Sequence, residues 1–156
     1  MKDFVSDPNG DPNGARKGWM STLAKAPAEA LLAAWQGYGQ QVPFSWLRAP
    51  EVGAVMVRGR AGAVGAAFNL GEMSVTRCSL KLEDGRVGHA VVQGRDRKKA
   101  EIAALVDALM QGAEGEAVEA AVLAPLRATA AEKAGARAEK AAATKVEFFT
   151  MVRGEN

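Results

Sequence analysis

"RGRAGAVGAAFNLGE", residues 58–72, is the stretch of this chain whose residue types come nearest to chemistry. Gly59, Gly62 and Gly65 recur every third residue beside Arg58 and Arg60. Backbone amides of a glycine-rich loop can cradle a phosphate, and two guanidinium groups can balance its remaining charge. The parts that make such a loop specific for a nucleotide are missing, however. No Gly-Lys-Ser/Thr ending follows, no second acidic motif offers to hold magnesium, and the next segment patterns as a strand where a nucleotide loop opens a helix. A glycine-lined connection that lets another backbone come close fits the same residues.

Other candidates for chemistry are few. His89, the single histidine, could serve as a general base, since an unperturbed imidazole titrates near ~6.5. Set among Leu80, Val87 and Val91 in the expected hairpin, it reads instead as half-buried, with one structural hydrogen bond. No Ser, Cys or Asp stands near it in a triad pattern. Cys78, the single cysteine, reads as a small core hydrophobe. One Cys excludes an internal disulfide, and one Cys with one His cannot build a zinc site from this chain alone. Glu101 and Asp107 lie six apart on one predicted helix and do not face each other as a carboxylate pair. Trp19, Trp35 and Trp46 sit in helical or connector settings where core packing is the default. No residue is therefore assigned a catalytic, cofactor-binding or metal-binding role.

The elements that must position these residues follow from periodicity. Residues 1–18, with the tandem "DPNGDPNG", predict a flexible leader. From Trp19 the apolar spacing is helical through Leu23, and Pro27 opens a second helix carrying Leu31, Trp35 and Tyr38 before Gly39. "VPFSWLRAPE" reads as a packed connector. "EVGAVMVRGR", "EMSVTRCSLKL" and "RVGHAVVQGR" predict strands, the last two joined by Asp84-Gly85 in a two-residue type I′ turn. That turn would set Leu82 opposite Val87, Leu80 opposite His89 and Cys78 opposite Val91 on the core face. Arg77, Ser79 and Lys81 would lie opposite Gly88, Ala90 and Val92 on the other. Asp96 caps an amphipathic helix whose stripe includes Ile102, Leu105, Val106 and Leu109, with Gly112 as its stop. A second, alanine-rich helical region spans about 116–142, interrupted near Pro125 and weakened at Gly135.

At 156 residues, with 48% hydrophobic and 24% charged residues, the chain has the composition of one ordinary globular domain. The resulting fold class is α+β, a small antiparallel β-sheet of three to four strands with helices packed on one face. Residues 19–145 form the single domain. A formal charge of +2 is too balanced to predict nucleic acid or an anionic membrane as partner. The longest apolar run falls far short of the ~20 residues of a membrane span, and no signal peptide opens the chain, so a cytoplasmic location is expected.

The last segment, "KVEFFTMVRGEN", is unusually apolar for a chain end. Two destinations fit it: a last strand of the chain's own sheet, or a docking segment for another subunit. Together with "LRAPEVGAVMVRGRAGAVGAAFNLGEMSVTRCSL" and "GRVGHAVVQGRDRKKAEIAALVDAL", it closely resembles the PhnG family of the bacterial carbon-phosphorus lyase system. "FNLGE", "TRC" and "FFTMVRGE" are the specific motifs, and the resemblance runs from about Trp19 to Glu155. Ala63 and Ala67 depart from the Gly and Pro expected there.

The resemblance implies an accessory subunit working with PhnH, PhnI and PhnJ, and functionally with PhnL. In that system PhnI exchanges the adenine of ATP for a phosphonate, giving a ribose 1-phosphonate 5-triphosphate, and PhnJ later cleaves the carbon-phosphorus bond by radical chemistry. It implies no cofactor bound by this chain alone. With it, residues 146–156 become a C-terminal interface segment, in which Phe148, Phe149, Met151 and Arg153 form a buried aromatic cluster beside an arginine, a typical hot-spot composition. Arg58, Arg60 and Arg77 are the second set of expected interface residues. The alternative is a stand-alone phosphate-binding or nucleotide-binding enzyme using the 58–65 loop and His89.

Overall fold

A computed structural model describes residues 13–62 and 64–145. In chain order they form α1 (Gly14–Lys25), α2 (Ala28–Tyr38), β1 (Phe44–Arg60), β2 (Ala67–Leu82), β3 (Val87–Gln93), α3 (Arg97–Leu109), α4 (Gly115–Val118), a π-helical turn (Glu119–Leu123) and α5 (Ala124–Ala143). The fold is α+β: the three strands make one antiparallel sheet in the order β1-β2-β3. α3 covers one face of that sheet.

α3 forms where the sequence signals place it. The Asp96 carboxylate accepts a hydrogen bond from the Lys99 backbone N–H at 2.9 Å, which satisfies one of the four orphan donors of the first turn. Ile102, Ala103, Leu105, Val106 and Leu109 are all buried, against Cys78, Leu80, Ala90 and Val92 of the sheet. The two layers meet at Gly88, where a Cβ would sit 1.9 Å from the Ala104 carbonyl oxygen. Only a residue without a side chain allows that approach.

The hairpin differs from the sequence expectation by one residue. Leu82 N–H donates to Arg86 O and Gly85 N–H to Leu82 O, so Glu83-Asp84-Gly85 forms a three-residue loop with Gly85 left-handed at φ 93°. This is a type I turn followed by a bulge, which an Asp-Gly pair also suits. Because side chains alternate every residue, the shift moves the whole of β3 to the other face. Leu80 pairs with Gly88, Cys78 with Ala90 and Ser79 with His89. Gly88, Ala90 and Val92 face the core, whereas Val87, His89 and Val91 share the outer face with Arg77, Ser79 and Lys81. His89 is exposed and not half-buried among apolar neighbours.

Two proline effects also redraw the elements. From Phe44 on, the "VPFSWLRAPE" segment is not a connector but the first part of β1, an edge strand among the described residues. Pro50 lies at an irregularity between Arg48 and Glu51 and has no partner in the β1–β2 register, so it removes no ladder bond. Pro125 does not interrupt the last helical region. The preceding turn widens into the π form over Glu119–Leu123, which accommodates a proline ring at the start of α5.

α1 begins at Gly14, upstream of Trp19, and it is anchored by a buried carboxylate. Asp107 of α3 is fully buried and accepts from Arg16 Nε and Nη2 at 3.1 and 2.7 Å, from Trp19 Nε1 at 2.8 Å, and from the His89 backbone N–H at 2.9 Å. One side chain thus ties α1, α3 and the outer edge of β3 together. That hydrogen bond holds the Arg16 guanidinium above its ordinary pKa. Lys99, also buried, donates to Ala24 O at 2.9 Å and Gln93 O at 3.4 Å, and burial lowers its pKa.

Candidate partner interface

β1 and β2 are 17 and 16 residues long, whereas β3 is only 7. β3 pairs with β2 only over Val75–Lys81, so the remainder of the β1–β2 hairpin stands out beyond α3 as a two-stranded arm. Such a ribbon is marginally stable alone in water. Every residue of β1 from Val52 to Arg60 is exposed except the partly buried Gly59.

The register assigns the side chains of the arm to two faces. Val52, Ala54, Met56, Arg58 and Arg60 continue the face that holds the core further along the sheet. Val55, Val57, Phe68 and Met73 continue the outer face. Leu70 is the extra residue of a bulge between the Val57–Gly71 and Arg58–Asn69 pairs. Its side chain folds over Gly59, where a Cβ would lie 2.1 Å from the Leu70 Cδ1. Met56 is 53% exposed, Phe68 48% and Leu70 61%, so about half of each apolar side chain meets water. Covering the arm would contribute on the order of 5 kcal/mol at the usual apolar transfer value.

The three arginines expected to act together are separated. Arg58 and Arg60 share one face near the tip, and the Arg60 guanidinium donates to Gly65 O at 3.2 Å. Arg77 lies on the opposite face, where its Nε donates to Glu51 Oε1 at 2.6 Å beside Arg48 at 3.6 Å. The glycine stretch is the hairpin tip, with Gly62 left-handed at φ 66°. Gly65 is required there, because a Cβ would sit 2.3 Å from Ala61 O. From Ala67 to Ser79, the residue paired with His89, the strand runs about 40 Å at ~3.3 Å per residue, so loop and imidazole form no common site. His89 Nδ1 instead shares a hydrogen bond with Ser79 Oγ at 2.8 Å. Phe148, Phe149, Met151 and Arg153 lie outside the described residues.

Cys78 is buried, donates to Ala100 O at 3.2 Å, and is pushed by burial up to a pKa of about 11, which suits a core residue and not a nucleophile. Sequence reasoning missed Arg86. Its guanidinium grips Glu114 at 2.8 and 3.0 Å and Asp84 at 2.6 Å, pinning the β2–β3 turn to the segment after α3. These bonds hold both carboxyls below their usual pKa range. The legible signal was Asp84 two residues before Arg86, whose backbone N–H it accepts at 3.0 Å. Gly112 matters here as well as at the helix end, since a Cβ would lie 1.8 Å from Arg86 Nη1.

A cleft of about 490 Å³ lies between the α1–α2 corner and α5, lined in part by Lys25, Lys133 and Arg137, all exposed. Among the described residues no three of His, Cys, Asp and Glu converge as metal ligands would, and no helix is long and apolar enough to cross a membrane. The feature that stands out is the arm.

Comparison with known proteins agrees with the resemblance seen in the motifs. The family model described as "Phosphonate metabolism protein PhnG" matches residues 14–154. A curated protein of Rhizobium meliloti (strain 1021), the alpha-D-ribose 1-methylphosphonate 5-triphosphate synthase subunit PhnG, is 41% identical over 141 residues, covering 90% of each chain. The chain belongs to the PhnG family of phosphonate metabolism proteins.

Proposed function

We propose that this chain is a non-catalytic subunit of an alpha-D-ribose 1-methylphosphonate 5-triphosphate synthase in the cytoplasm. It assembles with counterparts of PhnI, PhnH and PhnJ and supports PhnI in transferring the ribose 5-triphosphate of ATP to a phosphonate. The observation that carries the reading is the β1–β2 arm, exposed and apolar on both faces in a chain 41% identical to a synthase subunit. An exposed patch of that kind marks a protein interface. The arm tip, with Arg58 and Arg60, and the C-terminal segment, with Phe148, Phe149, Met151 and Arg153, make the contacts, while Arg77 supports the base of the arm through Glu51.

Native mass spectrometry tests this after co-expression with the three counterparts, using the intact chain and one ending at Lys145. The expected result is a large hetero-oligomer with the intact chain and little with the shortened one. Equal assembly by both would remove the C-terminal segment from the interface. A stable monomer in both samples would overturn the subunit reading.

A further inference from the structure

The backbone of β1 carries information that its side chains do not. Leu82 N–H donates to Arg86 O, and Gly94 N–H donates to Ser74 O, so the even-numbered residues of β2 direct their polar groups toward β3 and beyond it. The odd-numbered ones direct theirs toward β1. Through the register Gly53–Val75, Val55–Met73 and Val57–Gly71, the N–H and C=O groups of Gly53, Val55 and Val57 then bond to β2. Those of Val52, Ala54 and Met56 point away from the sheet.

Among the described residues β1 is an edge along its whole length, yet it is blunted unevenly. Near the body it carries Arg48, Pro50 and two irregularities, which are the usual means of discouraging a further strand. The other sheet edge is occupied: Asp107 takes the outward N–H of His89, while Gln111 donates to Val87 O at 2.9 Å and Lys99 reaches Gln93 O. "VGAVMV", residues 52–57, has no charge, no proline and no bulge within it. A segment of that composition with free backbone groups is a template for strand pairing.

We propose that the outer edge of β1 over Val52–Val57 takes up an extended segment of another synthase subunit, so that this sheet continues across the subunit boundary. The inference rests on the subunit reading above and gives it a binding mode. The partner segment is apolar where it lies beside Val52, Ala54 and Met56. It, or the groove around it, carries carboxylates near Arg58 and Arg60, which have no acidic partner among the described residues. A second copy of this chain fits less well. An antiparallel pairing of two such edges continues each face across the seam, and β1 presents no carboxylate on the Arg58 face: Glu51, its one acidic residue, lies on the opposite face and already holds Arg77 at 2.6 Å.

Hydrogen exchange on the intact chain, alone and within the co-expressed complex, reads the edge directly. The amides of 52–57 that point outward are expected to exchange at least ~100-fold more slowly in the complex. Ala54→Pro removes one outward N–H without touching the β1–β2 ladder, whereas Ala54→Ser keeps it. The proline variant is expected to keep the circular dichroism of the free chain and lose at least ~10-fold in complex yield, with the serine variant assembling normally. Should the proline variant fail to fold, the exchange comparison on the unaltered chain decides.

Assembly with 52–57 unprotected, or normal assembly of the proline variant, would overturn the edge proposal and leave the subunit reading intact. Protection in the free chain overturns it too. If that protection is lost on shortening the chain to Lys145, the occupant is the chain's own end. If it rises with concentration alongside dimer formation, the occupant is a second copy. Absence of any complex with the unaltered chain would instead sink the subunit reading itself.

Discussion

Asp107 does more for this fold than its polarity suggests. With no exposure it serves four donor atoms from one helix and a strand, and removing it would strand a buried indole N–H, a backbone N–H and a guanidinium. Asp107→Ala is expected to destabilise the chain by about 2 to 4 kcal/mol, read as a lower urea midpoint, because each buried donor left without its acceptor costs about 1 to 3 kcal/mol, whereas the half-exposed Arg16 can turn to water. His89→Ala should change stability by less than about 0.5 kcal/mol, since its ring is exposed and it is the backbone N–H that Asp107 uses. Cys78 gives the pH test. Its pKa is raised from 9.0 to about 11, so in that interval the folded chain holds a proton that the unfolded chain has released. Its contribution is therefore complete below pH 9 and is lost as pH rises toward 11. Lys99 shifts in the opposite direction and pulls stability the other way in alkali. The measurement is accordingly the difference between the unaltered chain and Cys78→Ala, which should shrink over that window.

At the scale of elements, Gly88 sets the spacing between sheet and helix. Alanine ordinarily improves a strand over glycine by roughly 0.5 to 1 kcal/mol. Here its Cβ would meet Ala104 O at 1.9 Å, so Gly88→Ala is expected to lower stability by about 1 to 3 kcal/mol in a urea titration. The three strands, α2 with its Gly39 cap and the Asp96 start of α3 were legible because each is carried by local periodicity or a capping residue. The β3 face was not. Asp-Gly suits both a two-residue and a three-residue loop, and the choice depends on Gly88 and Ala90 fitting beneath α3, which local sequence does not express. β1 was read too short because prolines argue against a strand only when their missing N–H faces a neighbour. The arm faces were hidden by the bulge at Leu70, one residue that breaks the alternation.

For the molecule as a whole, the core belongs to α1, α2, α3, the π-helical turn and the near half of the sheet, while the far half of the sheet and most of α5 are exposed. The arm leaves apolar surface open to water on the free chain, so a dye that reports apolar surface should fluoresce more with the free chain than with the same chain in the co-expressed complex. The family was legible from short motifs, but the arm on which the proposed contact rests was not, because exposure on both faces is a property of three-dimensional placement. α5 adds a geometric constraint. Its 20 residues run about 30 Å at ~1.5 Å per residue, and beyond Leu126 no side chain of it is buried. It therefore acts as both ruler and protractor for whatever follows Lys145. One inserted residue would turn that point by about 100° while lengthening the helix by only ~1.5 Å, whereas seven would nearly restore the angle and add about 10 Å. Angular phase and reach can thus be varied separately in this chain, and a partner that reads the two independently would respond differently to the two insertions.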